Sequence, residues 1–347
     1  MKISDLYNAG TSAWLDDLSR GSIDNGTDKS LVSRVARREI YGVTTNPAIF
    51  TSAITKDPSY QNDIKTIRNL NAEEIIEQLT TDDVRKACQV LRPIYDETKG
   101  VDGRVSIEVD PRLAYEAEAT ISQAKRLWEM IDQPNLMIKV PATKAGLVAL
   151  TELISVGISV NVTLIFSIER YSEVIDAYIA GARNCSDPMN VHSVASFFIS
   201  RLDSAIDPKI SDSELIGKAA VANACLAYEI FLAKFAGLEE SMNLQRPLWA
   251  STGVKNPDYP DTKYVSELVA PNTVNTMPPA TLDAFIDHGT MLNENMIDRI
   301  PESKEYLSKI SRLGINLSQV TQELERDGIE KFIDSWKALI ELVKAEK

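Results

Sequence analysis

Lys139 stands in the middle of a short apolar run, Asn135-Leu136-Met137-Ile138-Lys139-Val140-Pro141-Ala142-Thr143, bounded by turn and cap formers. Such a run reads as a buried strand. A buried ammonium costs several kcal/mol unless it is paired or neutral. An amine that sheds its proton to escape that cost is a nucleophile, which is what Schiff-base chemistry on a carbonyl substrate needs. The alternative is a lysine whose stem crosses the strand edge and whose head reaches water. What the neighbouring segments contribute decides between the two.

The rest of the catalytic inventory is narrow. Only His192 and His288 are present, which disfavours a histidine-rich zinc site or a Ser-His-Asp triad. No GxGxxG turn and no GxxxxGK loop occurs, so nothing points to a dinucleotide or to ATP. No cofactor and no metal is expected, and chemistry falls to lysines, carboxylates, hydroxyls and amides. A net charge of −13 argues against nucleic acid and anionic membrane surfaces as partners. Any anionic substrate then requires local positive charge at its site. Cys88, Cys185 and Cys225 are widely spaced and odd in number, with no CxxC pair, which suits a reducing compartment. The opening Met-Lys-Ile-Ser-Asp-Leu-Tyr lacks the apolar core of a signal peptide, and no apolar run is read as membrane-spanning. A cytoplasmic protein is expected.

The elements that must hold Lys139 follow from periodicity. Strands are read at 13–18, 41–46, 104–110, 135–143, 159–166, 191–199, 247–252 and 273–278, each followed by helical sequence. In the third, Val105, Ile107 and Val109 alternate with Ser106 and Glu108; in the fifth, Val160, Val162 and Leu164 alternate with Asn161 and Thr163. Helices are read at 29–40, at 112–131 behind an Asp110 cap and Pro111, at 144–156, at 168–183 behind Ser167, and around 212–235. The tail 316–345 is helical, with Ile329, Phe332, Ile333, Trp336 and Ile340 on one face. Eight β/α units are the count of a (β/α)8 TIM barrel. An open doubly wound sheet is the other candidate, but its strands, covered on both faces, would be apolar throughout. The chain, 347 residues long, shows no linker composition. It is therefore read as one barrel over 1–347, with a helical insertion at about 202–246 and C-terminal helices at about 301–345. Those helices either fold over the barrel mouth or pack on the outer helices.

In a barrel the polar face points inward and the site forms at the C-terminal strand ends. The inward set is Asp16, Asn46, Glu108, Lys139, Asn161 with Thr163, and Ser196; Asp17 alternates away from Asp16. Singly, each has a plainer reading: Asn46 as a helix cap, Glu108 as a paired carboxylate, Thr163 and Ser196 as satisfied core hydroxyls. Together they put two carboxylates and an amine in one cavity.

The segments Gly42-Val43-Thr44-Thr45-Asn46-Pro47, Ile107-Glu108-Val109-Asp110, Ile138-Lys139-Val140-Pro141 and Asn161-Val162-Thr163-Leu164 resemble the signature segments of transaldolases, in order and at matching strand positions. The resemblance implies a class I barrel that moves a dihydroxyacetone unit between sugar phosphates in the non-oxidative pentose phosphate pathway. It implies Lys139 as the Schiff-base residue, Asp16 as the group exchanging a proton with the C4 hydroxyl, and Glu108 with Thr163 as holders of a proton-shuttling water. Asn46, Asn161 and Ser196 would bind hydroxyls of the three-carbon unit, and Arg201, Ser251 and Lys255 the phosphate. This chain departs from the family after its seventh strand. Relatives read a short Ser-aromatic-Arg, whereas here Ser251-Thr252-Gly253-Val254-Lys255 replaces the arginine fork by a point charge. Phe198 stands where the family's dihydroxyacetone-releasing aldolases carry tyrosine and, with Glu108, sides with transaldolase. A fructose 6-phosphate aldolase and a non-catalytic sugar-phosphate-binding barrel remain the alternatives, the latter opposed by the intact Lys139, Glu108 and Asp16. A monomer or homodimer is expected.

Overall fold

The computed structural model describes residues 3–292 and 294–347. Among them, eight parallel strands close into a barrel in chain order: β1 Thr11–Leu15, β2 Gly42–Thr44, β3 Arg104–Glu108, β4 Leu136–Pro141, β5 Val160–Ile165, β6 Ser193–Phe198, β7 Gln245–Ala250 and β8 Thr273–Met277, with β8 pairing back onto β1. This is the (β/α)8 TIM barrel that the eight strand–helix units predict. All eight strands are buried along their whole length. Val105 and Ile107, or Ile138 and Val140, alternate with the residues that fill the interior. At the β1–β2 seam the fit is close: Gly42 lies opposite Trp14, and a Cβ on Gly42 would come 2.5 Å from the buried indole.

The strands hand over to helices through side-chain caps. Asn46 accepts from Ile49 N–H at the start of Pro47–Lys56, Thr143 from Gly146 at Lys144–Ser155, and Ser167 from Arg170 at Ile168–Asn184. Several expected bounds move by a few residues. β1 begins and ends earlier than the sequence suggests, so Asp16 falls one residue past the strand, its N–H bonded to Met277 O at 2.8 Å. β2 stops at Thr44 because Asn46 turns away to cap the next helix. The helix expected from residue 112 begins at Ala117, because Asp110 caps a separate 3-10 turn at Pro111–Leu113.

Two differences matter more. Alternation puts Leu164 on the outer face with Val160 and Val162. Instead the β5–β6 register shifts between Val162 and Ile165, and Leu164 sits at φ +63°. A bulge of this kind re-aims a side chain beside a site. Leu164 turns towards the helix Leu317–Glu346, where a Cβ on Gly328 would meet its Cδ2 at 3.1 Å. Secondly, the segment Ser213–Phe235 is long and apolar enough to cross a membrane by length and composition, a run the sequence reading passes over. Its most apolar window is 67% buried inside the protein, and the helix Ala219–Phe235 packs against Ile168–Asn184 and Ile300–Arg312. An all-round apolar helix is accounted for by such burial.

The C-terminal helix Leu317–Glu346, capped by Asn316, does not join the outer ring alone. It packs on Pro47–Lys56, on Ser200–Ile206 and on β5, elements that meet at the C-terminal end of the barrel, and also on the outer helix Ala72–Glu97. Both placements open to it are thus taken, over the mouth and against the outer layer.

Candidate active site

The register of the strands assembles the site. Glu108 pairs with Lys139 across β3 and β4, and Lys139 with Asn161 across β4 and β5, so the three side chains point inward side by side. A cavity of about 150 Å³ opens above them, lined by Asp16, Thr44, Asn46, Lys139, Thr163, Ser196, Phe198, Arg201, Ser251, Lys255, Thr276 and Phe332, among others. Nine of the eleven residues singled out in the sequence line this one space. Asp17 does not.

Lys139 is 5% exposed, so its head does not escape to solvent. Its Nζ donates to the backbone carbonyl of Thr45 at 3.0 Å and lies 3.5 Å from Glu108 Oε2. Glu108 therefore touches the amine, but from behind. It lines a second, adjoining cavity of about 250 Å³ together with Asn46, Glu77, Asp110, Arg126 and Trp336. Burial raises the Glu108 carboxyl to about 7, and Asp16 pushes the same way; the neighbouring ammonium of Lys139 only partly offsets this. Glu108 is thus poised to hold or lose a proton near neutral pH.

Asp16 is also raised by burial, with Lys139 and a hydrogen bond from Thr44 opposing. Thr44 Oγ1 donates to Asp16 Oδ1 at 2.6 Å. Its one proton being spent there, the 2.6 Å contact between Thr44 and Thr276 is donated by Thr276. Two threonines from β2 and β8 thus aim a short hydroxyl chain at the carboxylate. The sequence reading missed both, although Thr44 sits two residues before Asn46 in the same alternation.

The remaining polar groups divide into two layers. Asn161 is fully buried and does not line the cavity. Its Nδ2 donates to Ser106 Oγ at 3.0 Å and its Oδ1 accepts from Ser196 Oγ at 2.7 Å. It therefore fixes Ser196 from below, leaving the serine oxygen free to accept above. Asn46 is both cap and lining residue: Oδ1 is committed to Ile49 N–H at 3.1 Å, and the NH2 group remains for the cavity. Thr163 Oγ1 is buried without a partner among the described residues. A buried hydroxyl left unpaired costs about 1–3 kcal/mol, which a bound polar group at this point would recover.

Positive charge collects at the other end of the cavity. Arg201, on the helix Ser200–Ile206 after β6, stacks its guanidinium 5.3 Å from the centre of the Phe198 ring, and burial lowers its pKa. No ion pair holds Arg201 among the described residues. Ser251 follows β7 at φ +56°, its Oγ 3.1 Å from Ser200 Oγ, and Lys255 reaches the same cavity from an exposed position. Arg201 and Lys255 give this rim local positive charge within a strongly acidic chain.

On a closed parallel barrel, an inward amine thus lies between two carboxylates, with cations at the far rim. The chain belongs to the transaldolase/fructose-6-phosphate aldolase family, whose sequence model matches residues 13–343. It is similar to Transaldolase 1 of Streptomyces avermitilis, at 49% identity over 97% of this chain and 93% of that protein. The Transaldolase of Thermobifida fusca is 46% identical over 98% of this chain and 97% of its own length.

Proposed function

We propose that the protein is a transaldolase, a transferase that moves a dihydroxyacetone unit from sedoheptulose 7-phosphate to glyceraldehyde 3-phosphate, giving erythrose 4-phosphate and fructose 6-phosphate. The observation that carries this reading is the buried Lys139 amine, 3.5 Å from a carboxyl whose pKa is raised to about 7. Lys139, its proton passed to Glu108, attacks the C2 ketone of the donor, and Glu108, with water held between it and Thr163, returns that proton so that hydroxide leaves as water. The resulting iminium draws the C3–C4 electrons as Asp16 takes the C4 hydroxyl proton. An aldose phosphate departs, and the three carbons stay on Lys139 as an enamine. The acceptor aldehyde then adds at C3, Asp16 returns the proton to the new hydroxyl, and hydrolysis frees the product. Ser196, oriented by Asn161, and Asn46 bind hydroxyls of the three-carbon unit; Arg201, Ser251 and Lys255 hold the phosphate. The non-oxidative pentose phosphate pathway and a cytoplasmic setting fit this chemistry.

Two results test the reading. Arg201→Ala is expected to raise KM for phosphorylated donors about 10–100-fold, the loss of a charge-assisted hydrogen bond, while unphosphorylated fructose is little affected. Equal losses for both donors would remove Arg201 from the phosphate site. Transfer is separated from aldol cleavage at Phe198, which is 6% exposed, faces the cavity and offers no hydroxyl to deliver a proton. With fructose 6-phosphate alone, dihydroxyacetone release should be slow; adding erythrose 4-phosphate should start rapid formation of sedoheptulose 7-phosphate. Phe198→Tyr should shift the balance towards free dihydroxyacetone. Fast release by the unmodified protein without an acceptor would identify a fructose 6-phosphate aldolase instead.

A further inference from the structure

The helix Leu317–Glu346 lies outside the β/α repeat, yet one of its faces is fitted to the mouth. Gly328, Phe332 and Trp336, spaced four residues apart, stack along that face. At Gly328 the helix comes so near the barrel that an added Cβ would lie 3.1 Å from Leu164 Cδ2, 3.5 Å from Phe166 and 3.6 Å from Arg201 Nη1. One turn on, Phe332 is 7% exposed, lines the cavity with Lys139 and Phe198, and centres its ring 5.7 Å from Lys139 Nζ. A further turn brings Trp336 against the adjoining cavity beside Asn46 and Glu108.

We propose that Phe332 is a specificity-determining residue: it is the apolar cover over Lys139 that keeps water from the covalent three-carbon intermediate and so commits it to an acceptor aldehyde. The inference rests on the transaldolase reading. After C3–C4 cleavage the electron pair is shared between C3 and the Lys139 nitrogen. Losing the unit as free dihydroxyacetone takes a proton onto C3, which restores the iminium. Water then adds at C2, and the C2–N bond breaks to return the amine. Transfer replaces the proton on C3 by a new bond from C3 to the acceptor's carbonyl carbon, with a proton to the new oxygen, and the product iminium is then hydrolysed in the same way. The two courses therefore part at C3, where water acting as a proton source leads to release and an aldehyde leads to transfer. A phenyl ring has no proton to give and fills space from which water would protonate C3, so it disfavours release at that step. Its face also suits the positive nitrogen of the iminium. Phe198 guards the cavity from β6; Phe332 guards it from an element that the barrel itself does not supply.

The test uses the full chain with Phe332→Ala and Phe332→Leu, following two rates on each preparation. One is dihydroxyacetone release from fructose 6-phosphate alone; the other is sedoheptulose 7-phosphate formation with erythrose 4-phosphate present. The ratio of release to transfer is expected to rise about tenfold or more for Phe332→Ala and by less for Phe332→Leu, with the three-carbon adduct still trapped on Lys139. Phe332→Leu nearly conserves volume and remains decisive should the alanine variant fail to fold. A folded Phe332→Leu in which both rates fall in parallel, at an unchanged ratio, would reduce Phe332 to packing and overturn the proposal while leaving the transaldolase reading intact. Absence of transfer by the unmodified protein would overturn that reading and this proposal together.

Discussion

Lys139→Met is expected to keep the barrel and to lose transfer, to below about one ten-thousandth of the unmodified rate. No other lysine among the described residues shares the inner wall with Asp16, Thr163 and Ser196; Lys255 stands at the exposed rim. Methionine fills the same unbranched volume in β4. Removing the ammonium leaves Glu108 without the charge that holds its pKa down, so the carboxyl moves further up and stays neutral. A neutral acid in that position does not carry the cost of an orphaned buried charge. The Thr45 carbonyl loses one donor, a loss of about 1 kcal/mol. Thermal unfolding should therefore remain cooperative while the coupled assay for glyceraldehyde 3-phosphate reads background. Turnover above a few per cent would mean that some other group forms the covalent bond.

Glu108→Gln should lower kcat by roughly 10²–10⁴-fold, as loss of a general acid–base group does, and change KM much less. The glutamine keeps the shape and one acceptor but cannot carry a proton between carbinolamine and water. Activity near that of the unmodified protein would make Glu108 structural. The same substitution has a signature in stability. The Glu108 carboxyl titrates near 7 in the folded protein and near its ordinary 4.5 when unfolded. Between those values the folded state binds more protons than the unfolded one, so stability falls as pH rises through that window and levels off above it. Relative to Glu108→Gln, the unmodified protein should lose on the order of 3 kcal/mol between pH 4.5 and 8. Urea unfolding of both proteins at the two pH values reads the difference directly, and parallel curves would contradict a raised carboxyl at this position.

Much of the site was legible because strands of a barrel alternate strictly. Once Ile138 and Val140 face the helices, Lys139 must face inward, and the same step places Glu108, Thr163 and Ser196. Strand ends were less legible, since Asn46 and Asp110 read equally as strand residues and as caps. Leu164 defeated alternation: the strand register shifts at this point, and its side chain meets the helix at Gly328, 164 positions further along the chain. Asn161 was placed on the correct face but one layer too high; its commitment to Ser106 and Ser196 depends on distances across strands that no pattern encodes. Phe332 showed itself only as part of an apolar face. An apolar face fits a barrel mouth and an outer helix layer equally well, and only packing distinguishes them.

The most direct measurement is borohydride reduction of the protein in the presence of fructose 6-phosphate, followed by peptide mass mapping. A three-carbon adduct should appear on Lys139 and on no other lysine, and its yield should fall when erythrose 4-phosphate is added before the reductant to carry the unit away. An adduct on a different lysine, or none with a substrate that is turned over, would contradict the account at its centre.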